Sequence, residues 1–115
     1  MKLELVYLPV PEIAPALAFY RDTLGFDEAW REGDGTIALA VPDSDVMLML
    51  DHETDGRPGP MFTTPSVAEF LERHGDAIDV VIGPHEIPDG TLVGFRDPGG
   101  NLVYVLDQRG ADGPS

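Results

Sequence analysis

Apolar residues in the first half of the chain follow the spacing of a strand, then of a helix, then of strands again. Over residues 3–10 they occupy both faces of an extended segment, which predicts a strand that is covered on both sides. Over residues 13–24 they recur as one helical stripe, and Gly25 is a residue type that commonly ends a helix. Turns rich in Gly, Asp and Pro then separate three further predicted strands, over residues 26–32, 36–41 and 46–51.

The second half repeats this order of elements. A short predicted strand over residues 60–64 precedes Ser66 and Glu69, which are spaced as a capping box at the start of a helix that Gly75 closes. Superposing the two halves gives an offset of 54 residues at the helix starts and 55 at the last strands. The chain is therefore expected to be an α+β protein with two βαβββ modules. The last three strands are predicted over residues 77–82, 91–96 and 102–107.

Two short motifs resemble those of a known family. The first is FYRDTLGF at residues 19–26, and the second is FRDPGGN at residues 95–101, where Gly100 suits a tight turn that Asp97 is expected to brace. Together they resemble the vicinal-oxygen-chelate superfamily, which includes glyoxalase I, bleomycin-resistance proteins, fosfomycin-resistance enzymes and extradiol dioxygenases. The resemblance covers residues 3–107, nearly the whole chain. Because this superfamily reuses one scaffold for several chemistries and for simple binding, the motifs indicate the fold and leave the function open.

The resemblance implies an architecture and a partner. Superfamily members of this size carry two modules per chain, whose curved mixed sheet encloses a cavity that the second chain of a homodimer often completes. We therefore expect a single glyoxalase-like domain over residues 1–108, with one module at about residues 1–56 and the other at about residues 57–108. Residues 109–115 contain Gly, Asp and Pro and are expected to form a flexible tail.

The charge balance narrows the choice of partners. The 115 residues include 21 acidic and 7 basic ones, which gives a formal net charge of −14. Such a surface repels nucleic acid and anionic membranes, so we expect neither as a partner, whereas a cationic ligand would suit it. The chain has no cysteine, which removes disulfides and thiolate sites. No apolar run reaches the length of a membrane span and the first residues lack a signal pattern, so we expect a cytoplasmic protein.

The positions at which the resemblance implies metal ligands do not hold metal-binding side chains. These positions are Leu5, a residue near Gly59, one residue among 46–50, and Tyr104. None is a histidine or a carboxylate, the donors that divalent metals need in such sites. The three histidines are expected in loops or near helix ends and lack metal-ligand spacing: His52, His74 and His85. We therefore predict no metal and no other cofactor.

Apolar and aromatic residues take the place of the metal ligands and form the predicted binding site. Methionine adapts to irregular ligands, and aromatic rings stack on flat ones. Leu5 and Tyr104 are expected to project into one shared cavity, with Tyr7 on the same face as Leu5. Alternatively, these residues fill a core or a dimer seam. The predicted ligand-binding residues are Leu5, Tyr7, Trp30, Met47, Met49, Phe62 and Tyr104.

The leading functional hypothesis is a metal-free protein that binds and sequesters an apolar or aromatic small molecule, in the manner of a resistance protein. The second is a metal-independent enzyme of the lyase or isomerase type on the same fold, with Tyr104 or Tyr7 as acid or base. The third, a metal-dependent glyoxalase or dioxygenase, is disfavoured by the missing ligands. No nucleophile motif is present, so no residue is assigned a catalytic role beyond the candidate tyrosine.

Overall fold

The computed structural model describes residues 1–52, 56–88 and 90–108. The chain divides into two units. One unit is Glu4–Pro58, and the other contains Met1–Leu3 and the residues from Gly59 onward. The tail predicted over residues 109–115 lies outside the described residues, and the single-domain interpretation stays a prediction. None of the helices in the described ranges has the length and apolar character needed to cross a membrane.

The first module is a four-stranded mixed sheet with one helical segment. Its strands lie in the order β2-β3-β4-β1, with β1 parallel to β4 and the other neighbours antiparallel. The helical segment connects β1 to β2. The elements are β1 at Lys2–Val10, α1 at Ile13–Leu17 with a π-helix at Ala18–Thr23, β2 at Asp27–Glu32, β3 at Thr36–Ala40 and β4 at Met47–His52.

The helix predicted over residues 13–24 is α-helical only in its first part. From Ala18 to Thr23 the segment is a π-helix, and the Leu24 N–H donates to the Phe19 carbonyl, five residues earlier, at 3.0 Å. This wider turn accompanies the stacking of Tyr20 on Phe26, with ring centroids 6.2 Å apart. Gly25 ends the segment with φ +82°, as predicted.

The second module has the same arrangement. Its strands lie in the order β5-β8-β7-β6, with β5 parallel to β8 and the other neighbours antiparallel. The strand predicted over residues 77–82 is longer than expected, because pairing with β7 resumes at His85 beyond the irregular Gly83-Pro84 step. The elements are β5 at Gly59–Thr63, α2 at Val67–His74 followed by a 3-10 turn at Gly75–Ala77, β6 at Asp79–Ile87, β7 at Gly90–Arg96 and β8 at Leu102–Gln108.

Each helix covers one face of the sheet in its own module. In the first module, Leu17 of α1 packs on a cluster of strand residues formed by Ile37, Leu39 and Leu50. In the second module, Val67 of α2 packs on Val93 and Val105. Burial of this apolar surface is the main force that holds helix and sheet together. The α+β class and the two βαβββ modules are confirmed.

The turn after β7 is braced by one carboxylate. Asp97 accepts hydrogen bonds from the backbone N–H groups of Gly99, at 2.9 Å, and Asn101, at 2.8 Å, and from the Asn101 side-chain amide at 3.1 Å. These donors, the Asn101 side chain first, hold the pKa of Asp97 below its ordinary value. The expected bracing role of Asp97 is confirmed. Gly100, in the same turn, has φ +89°, which a side chain at this position would disfavour.

The positive φ of Gly100 predicts the outcome of a substitution. Gly100→Ala should lower the free energy of unfolding by about 1–2 kcal/mol, because an alanine is strained in this backbone conformation while nothing lies within 4 Å of its added Cβ. Gly99→Ala is the matched control, since Gly99 does not have a positive φ and its Cβ would make ordinary contacts at 3.4 Å. Urea denaturation measures both, and equal midpoints would contradict the turn assignment.

Candidate functional site

In the first module, five of the predicted binding residues share the sheet face that lies opposite α1. Across the paired strands, Leu5 lies beside Met47, and Tyr7 lies beside Met49. Trp30 is paired with Ala38, and Ala38 is paired with Met49. Trp30 therefore lies in the same cross-strand row as Tyr7 and Met49. Because side chains alternate along a strand and Ile37, Leu39 and Leu50 face α1, these rows face away from the helix. We call this surface the helix-free face of the first module; its paired positions are Leu5, Tyr7, Pro9, Asp27, Trp30, Glu32, Thr36, Ala38, Ala40, Met47, Met49 and Asp51.

The side chains of this face differ in accessibility. Leu5 is buried, with 4% of its surface exposed, whereas Tyr7, Met47 and Met49 are half-buried. Trp30, on the edge strand β2, is 39% exposed. The half-buried thioethers and the exposed indole therefore offer a flat molecule an adaptable apolar surface.

A carboxylate network at one end of the face was missed by sequence reasoning. The Tyr7 hydroxyl donates to Asp51 Oδ2 at 2.6 Å, and the Thr36 hydroxyl donates to Asp51 Oδ1 at 2.8 Å. Asp51 follows Met47 and Met49 at the period of a strand, so all three lie on one face. This spacing could have indicated that Asp51 belongs to the face. However, an aspartate at the end of a predicted strand is also typical of the place where a strand ends.

In the second module, Tyr104 lies on the sheet face opposite α2. It is paired with Met61 on β5 and with Gly94 on β7, whereas its neighbour Val105 is buried beneath α2. Only 4% of its surface is exposed. The ring lies over Gly59, where an added Cβ would come within 3.4 Å of Tyr104 Cε2.

Phe62 does not join Tyr104. It is paired with Val105 on β8 and packs against the helix-side cluster of Val67, Val93 and Val105. A strand places successive side chains on opposite faces, so Met61 rather than Phe62 accompanies Tyr104. The structure therefore assigns Phe62 to the core beneath α2.

The residues at the implied metal positions do not fit a divalent metal. Leu5 and Tyr104 occupy two of these positions, and β4 contributes thioethers from Met47 and Met49, none of which matches the imidazole or carboxylate donors of such sites. Within residues 1–52, 56–88 and 90–108, no group of three or more His, Cys, Asp or Glu side chains could hold a metal ion.

The expectation that all three histidines lie in loops or near helix ends is wrong for two of them. His52 is the last residue of β4, and His85 lies within β6, because both strands extend further than the sequence pattern indicated. His74 is the last residue of α2, as expected.

A cleft of about 460 Å³ lies beside α2, within the second module. None of the predicted binding residues lines it. Its buried carboxylate, Asp107, accepts hydrogen bonds from the backbone N–H groups of Val67, at 2.8 Å, and Thr91, at 2.9 Å. This carboxylate therefore ties the start of α2 to β7 and β8, which is a structural role.

The model of the Glyoxalase/Bleomycin resistance protein/Dioxygenase superfamily matches residues 2–105 of the chain. The chain belongs to this superfamily. A search of curated proteins gave no match. The two motifs and the resemblance inferred from them are thus confirmed, while the activity within the superfamily is not specified by membership.

Solved structures share the fold at low sequence identity. A superfamily member from Vibrio splendidus 12B01 has 18% identity and a TM-score of 0.64, with coverage of 90% of this chain and 96% of that one. A structure described as an NAD-dependent benzaldehyde dehydrogenase from Legionella pneumophila has 17% identity, a TM-score of 0.77 and coverage of 90% and 97%. A methylmalonyl-CoA epimerase from Streptomyces coelicolor has 15% identity, a TM-score of 0.70 and coverage of 94% and 97%. At these identities the likeness shows the fold alone.

The hydrogen bond from Tyr7 to Asp51 predicts a stability difference. Tyr7→Phe should lower the free energy of unfolding by about 1 kcal/mol, because it leaves a half-buried carboxylate with one donor fewer. Tyr20→Phe is the control, since Tyr20 of the π-helix is also partly buried, packs against the core of the first module, and donates no hydrogen bond from its hydroxyl in the described part of the chain. Urea denaturation at neutral pH measures both, and equal losses would show that the contact is not stabilising.

Proposed function

We propose that this protein binds a small apolar or aromatic molecule without a metal ion, as a sequestering or resistance-type member of its superfamily. One observation carries the proposal: the positions where the superfamily resemblance places metal ligands hold apolar and aromatic side chains that lie opposite the helices. Leu5 and Met47 form such a pair in the first module, and Tyr104 lies on the corresponding face of the second. A sheet face of this composition is suited to binding a ligand through apolar contacts rather than through a coordinated metal ion.

The accessible part of the first module's helix-free face is the proposed contact surface. Met49 and Tyr7 lie side by side, and Trp30 lies at the edge strand of the same row. Burying the remaining exposed apolar area of such side chains contributes about 25 cal/mol per Å² before the cost of association is subtracted. The methionines accommodate ligands of different outline, which fits a protein that sequesters a compound without transforming it.

A second candidate is a metal-independent lyase or isomerase that uses a tyrosine as acid or base. The 2.6 Å hydrogen bond from the Tyr7 hydroxyl to Asp51 favours it, because the carboxylate holds the phenol in one orientation, and a positioned hydroxyl is what general acid catalysis requires. Tyr104 is the other candidate for this role. In this enzyme the tyrosine would transfer a proton to or from the substrate, and no metal would take part.

The superfamily resemblance also leads us to propose a homodimer, since a C2 pair is the commonest closed assembly. Light scattering coupled to size exclusion should therefore give about twice the chain mass of 12.4 kDa. A mass of one chain at micromolar concentration would contradict the dimer. We expect no complex with nucleic acid, because the formal charge of −14 repels phosphates.

The donor set predicts the metal content of the protein. Protein purified without added metal or chelator should contain no stoichiometric divalent metal, and a chelator should leave its melting temperature unchanged, because Leu5 and Tyr104 supply no suitable ligand. Elemental analysis and thermal denaturation measure the two quantities. One tightly bound zinc, iron or manganese ion per chain would overturn the proposal.

The exposed indole of Trp30 predicts a loss of ligand affinity on substitution. Flat aromatic compounds are first screened by thermal shift, since a ligand that binds the folded state raises its melting temperature. Trp30→Ala should then weaken the best binder about tenfold to a hundredfold, which corresponds to about 1–3 kcal/mol of lost stacking and contact area. Phe19→Ala is the matched control, because Phe19 is an exposed aromatic residue on the π-helix, with 50% of its surface accessible against 39% for Trp30.

Analysis of the same compound separates the two candidate functions. Recovery of the compound with unchanged mass and stereochemistry after incubation supports binding alone. Conversion that Tyr104→Phe or Tyr7→Phe abolishes, while the compound still binds, supports the enzyme. If Trp30→Ala and Phe19→Ala bind the compound with equal affinity, the helix-free face of the first module is not the contact surface.

A further inference from the structure

The helix-free face of the first module is apolar in the middle and acidic at its margins. Three of its paired positions are carboxylates, namely Asp27, Glu32 and Asp51, and none is lysine, arginine or histidine. The nearby Arg31 is paired with Ile37 on the other face, where its Nε lies 2.7 Å from Glu28. The charge of this face is therefore negative and is not offset by any cation among its own paired positions.

Among the three carboxylates, Asp51 is the one that accepts a hydrogen bond from an aromatic residue of this face, Tyr7. It is half-buried and is two residues beyond Met49 on β4, about 7 Å along the strand. Its two hydrogen-bond donors, the hydroxyls of Tyr7 and Thr36, are neutral. In the described part of the chain Asp51 forms no ion pair. The two hydrogen bonds fix the position of its carboxylate, but no positively charged side chain among the described residues neutralises it.

The surroundings of Asp51 favour a cation. A partly buried carboxylate interacts with a positive charge more strongly than one in bulk water, because the local dielectric constant is lower. Charge-assisted hydrogen bonds to a carboxylate are about twice as strong as neutral ones. The Tyr7 ring, whose hydroxyl contacts Asp51, adds an aromatic surface next to the same charge, and such rings attract ammonium groups.

We infer that the molecule bound on the helix-free face of the first module is an organic cation: a flat apolar body with a protonated amine that Asp51 receives. The inference rests on the proposed function and names its ligand class. The flat body lies against Met49 and Trp30, and the amine lies one strand step further on, at the Asp51 carboxylate and beside the Tyr7 ring. Asp51 is thus the residue that selects cationic over neutral ligands of the same shape.

Three probes of equal ring size test the inference. 2-Naphthylmethylamine is cationic at neutral pH, 2-naphthylmethanol is neutral, and 2-naphthoate is anionic. Titration calorimetry at low salt should show that the wild-type protein binds the amine at least about tenfold more tightly than the alcohol, and the naphthoate least tightly. Added sodium chloride should reduce the preference, because it screens the interaction between the charges.

The variant Asp51→Asn removes the charge and keeps the size of the side chain. It should weaken the amine about tenfold and bring it within about threefold of the alcohol, whose affinity stays unchanged. Asp43→Asn is the matched control: it changes the net charge equally, lies outside this face, and asparagine tolerates the positive φ of 64° found there. It should keep the full preference for the amine.

The outcomes distinguish the inference from the proposed function. Equal binding of amine and alcohol by the wild type, or a preference that Asp51→Asn retains, overturns the inference while leaving the proposed function in place. Stronger binding of the naphthoate also overturns it. Binding of none of the three probes contradicts the proposed function and the inference together. The wild-type comparison holds even if Asp51→Asn does not fold, because it depends on no variant.

Discussion

The parallel pairing of the first strand with the last strand decides which side chains each module has available for binding. In the first module this pairing sets Leu8 beside Leu50 on the helix side and Tyr7 beside Met49 on the other. A slip of one residue would turn the side chains of the slipped strand to the opposite face, since they alternate with a period of two. If β4 slipped, Asp51 would lie beneath α1, where burying a polar group is costly. Burial of Leu50 beneath the helix therefore positions the proposed binding residues indirectly.

The two modules keep the same core and differ on the opposite face. Ile37 is paired with Leu50 in the first module, and Val93 is paired with Val105 at the corresponding place in the second. All four are fully buried or nearly so. The register also makes Met61 the counterpart of Tyr7, and Tyr104 the counterpart of Met49. The core residues of both modules are apolar because they pack against a helix, whereas the residues on the opposite faces do not contact the helix of their module.

These differences give the two faces unequal capacity for a ligand. In the second module the Tyr104 ring lies over Gly59, which is the counterpart of Leu5, so a large side chain fills the space that a small one leaves. In the first module Tyr7 and Met49 are half-buried, and the carboxylate of Asp51 joins them. The first module therefore has both accessible apolar surface and a directional polar group, the two features that we propose a ligand contacts.

Local signals in the sequence were sufficient for most of the fold. Ser66 accepts a hydrogen bond from the Glu69 N–H at 3.1 Å, as the capping motif predicts, and the Asp97 turn follows from its own residues. The π-helix could not be predicted, because α and π hydrogen bonding suit the same residue types. β6 was predicted too short, since Gly83-Pro84 ordinarily ends a strand.

The missing parts of the site depended on contacts that are distant in sequence. Phe62 and Met61 are adjacent apolar residues on a strand of five, so only the pairing of Phe62 with Val105 shows which of them faces the helix. Asp51 receives its donors from Tyr7 and Thr36, 44 and 15 residues away. No local pattern reports such a network, because it exists only once three strands are in register.

The charge of Asp51 exceeds what its structural contacts require. A hydroxyl donor needs only an acceptor, and an amide oxygen in an asparagine would serve Tyr7, while its amide group would donate to the hydroxyl of Thr36. Holding a half-buried carboxylate at this position costs free energy that an asparagine would not, because the charge loses part of its hydration. Hydrogen bonding within the sheet accounts for a polar side chain at this position. The negative charge itself is the feature from which we infer a positively charged ligand.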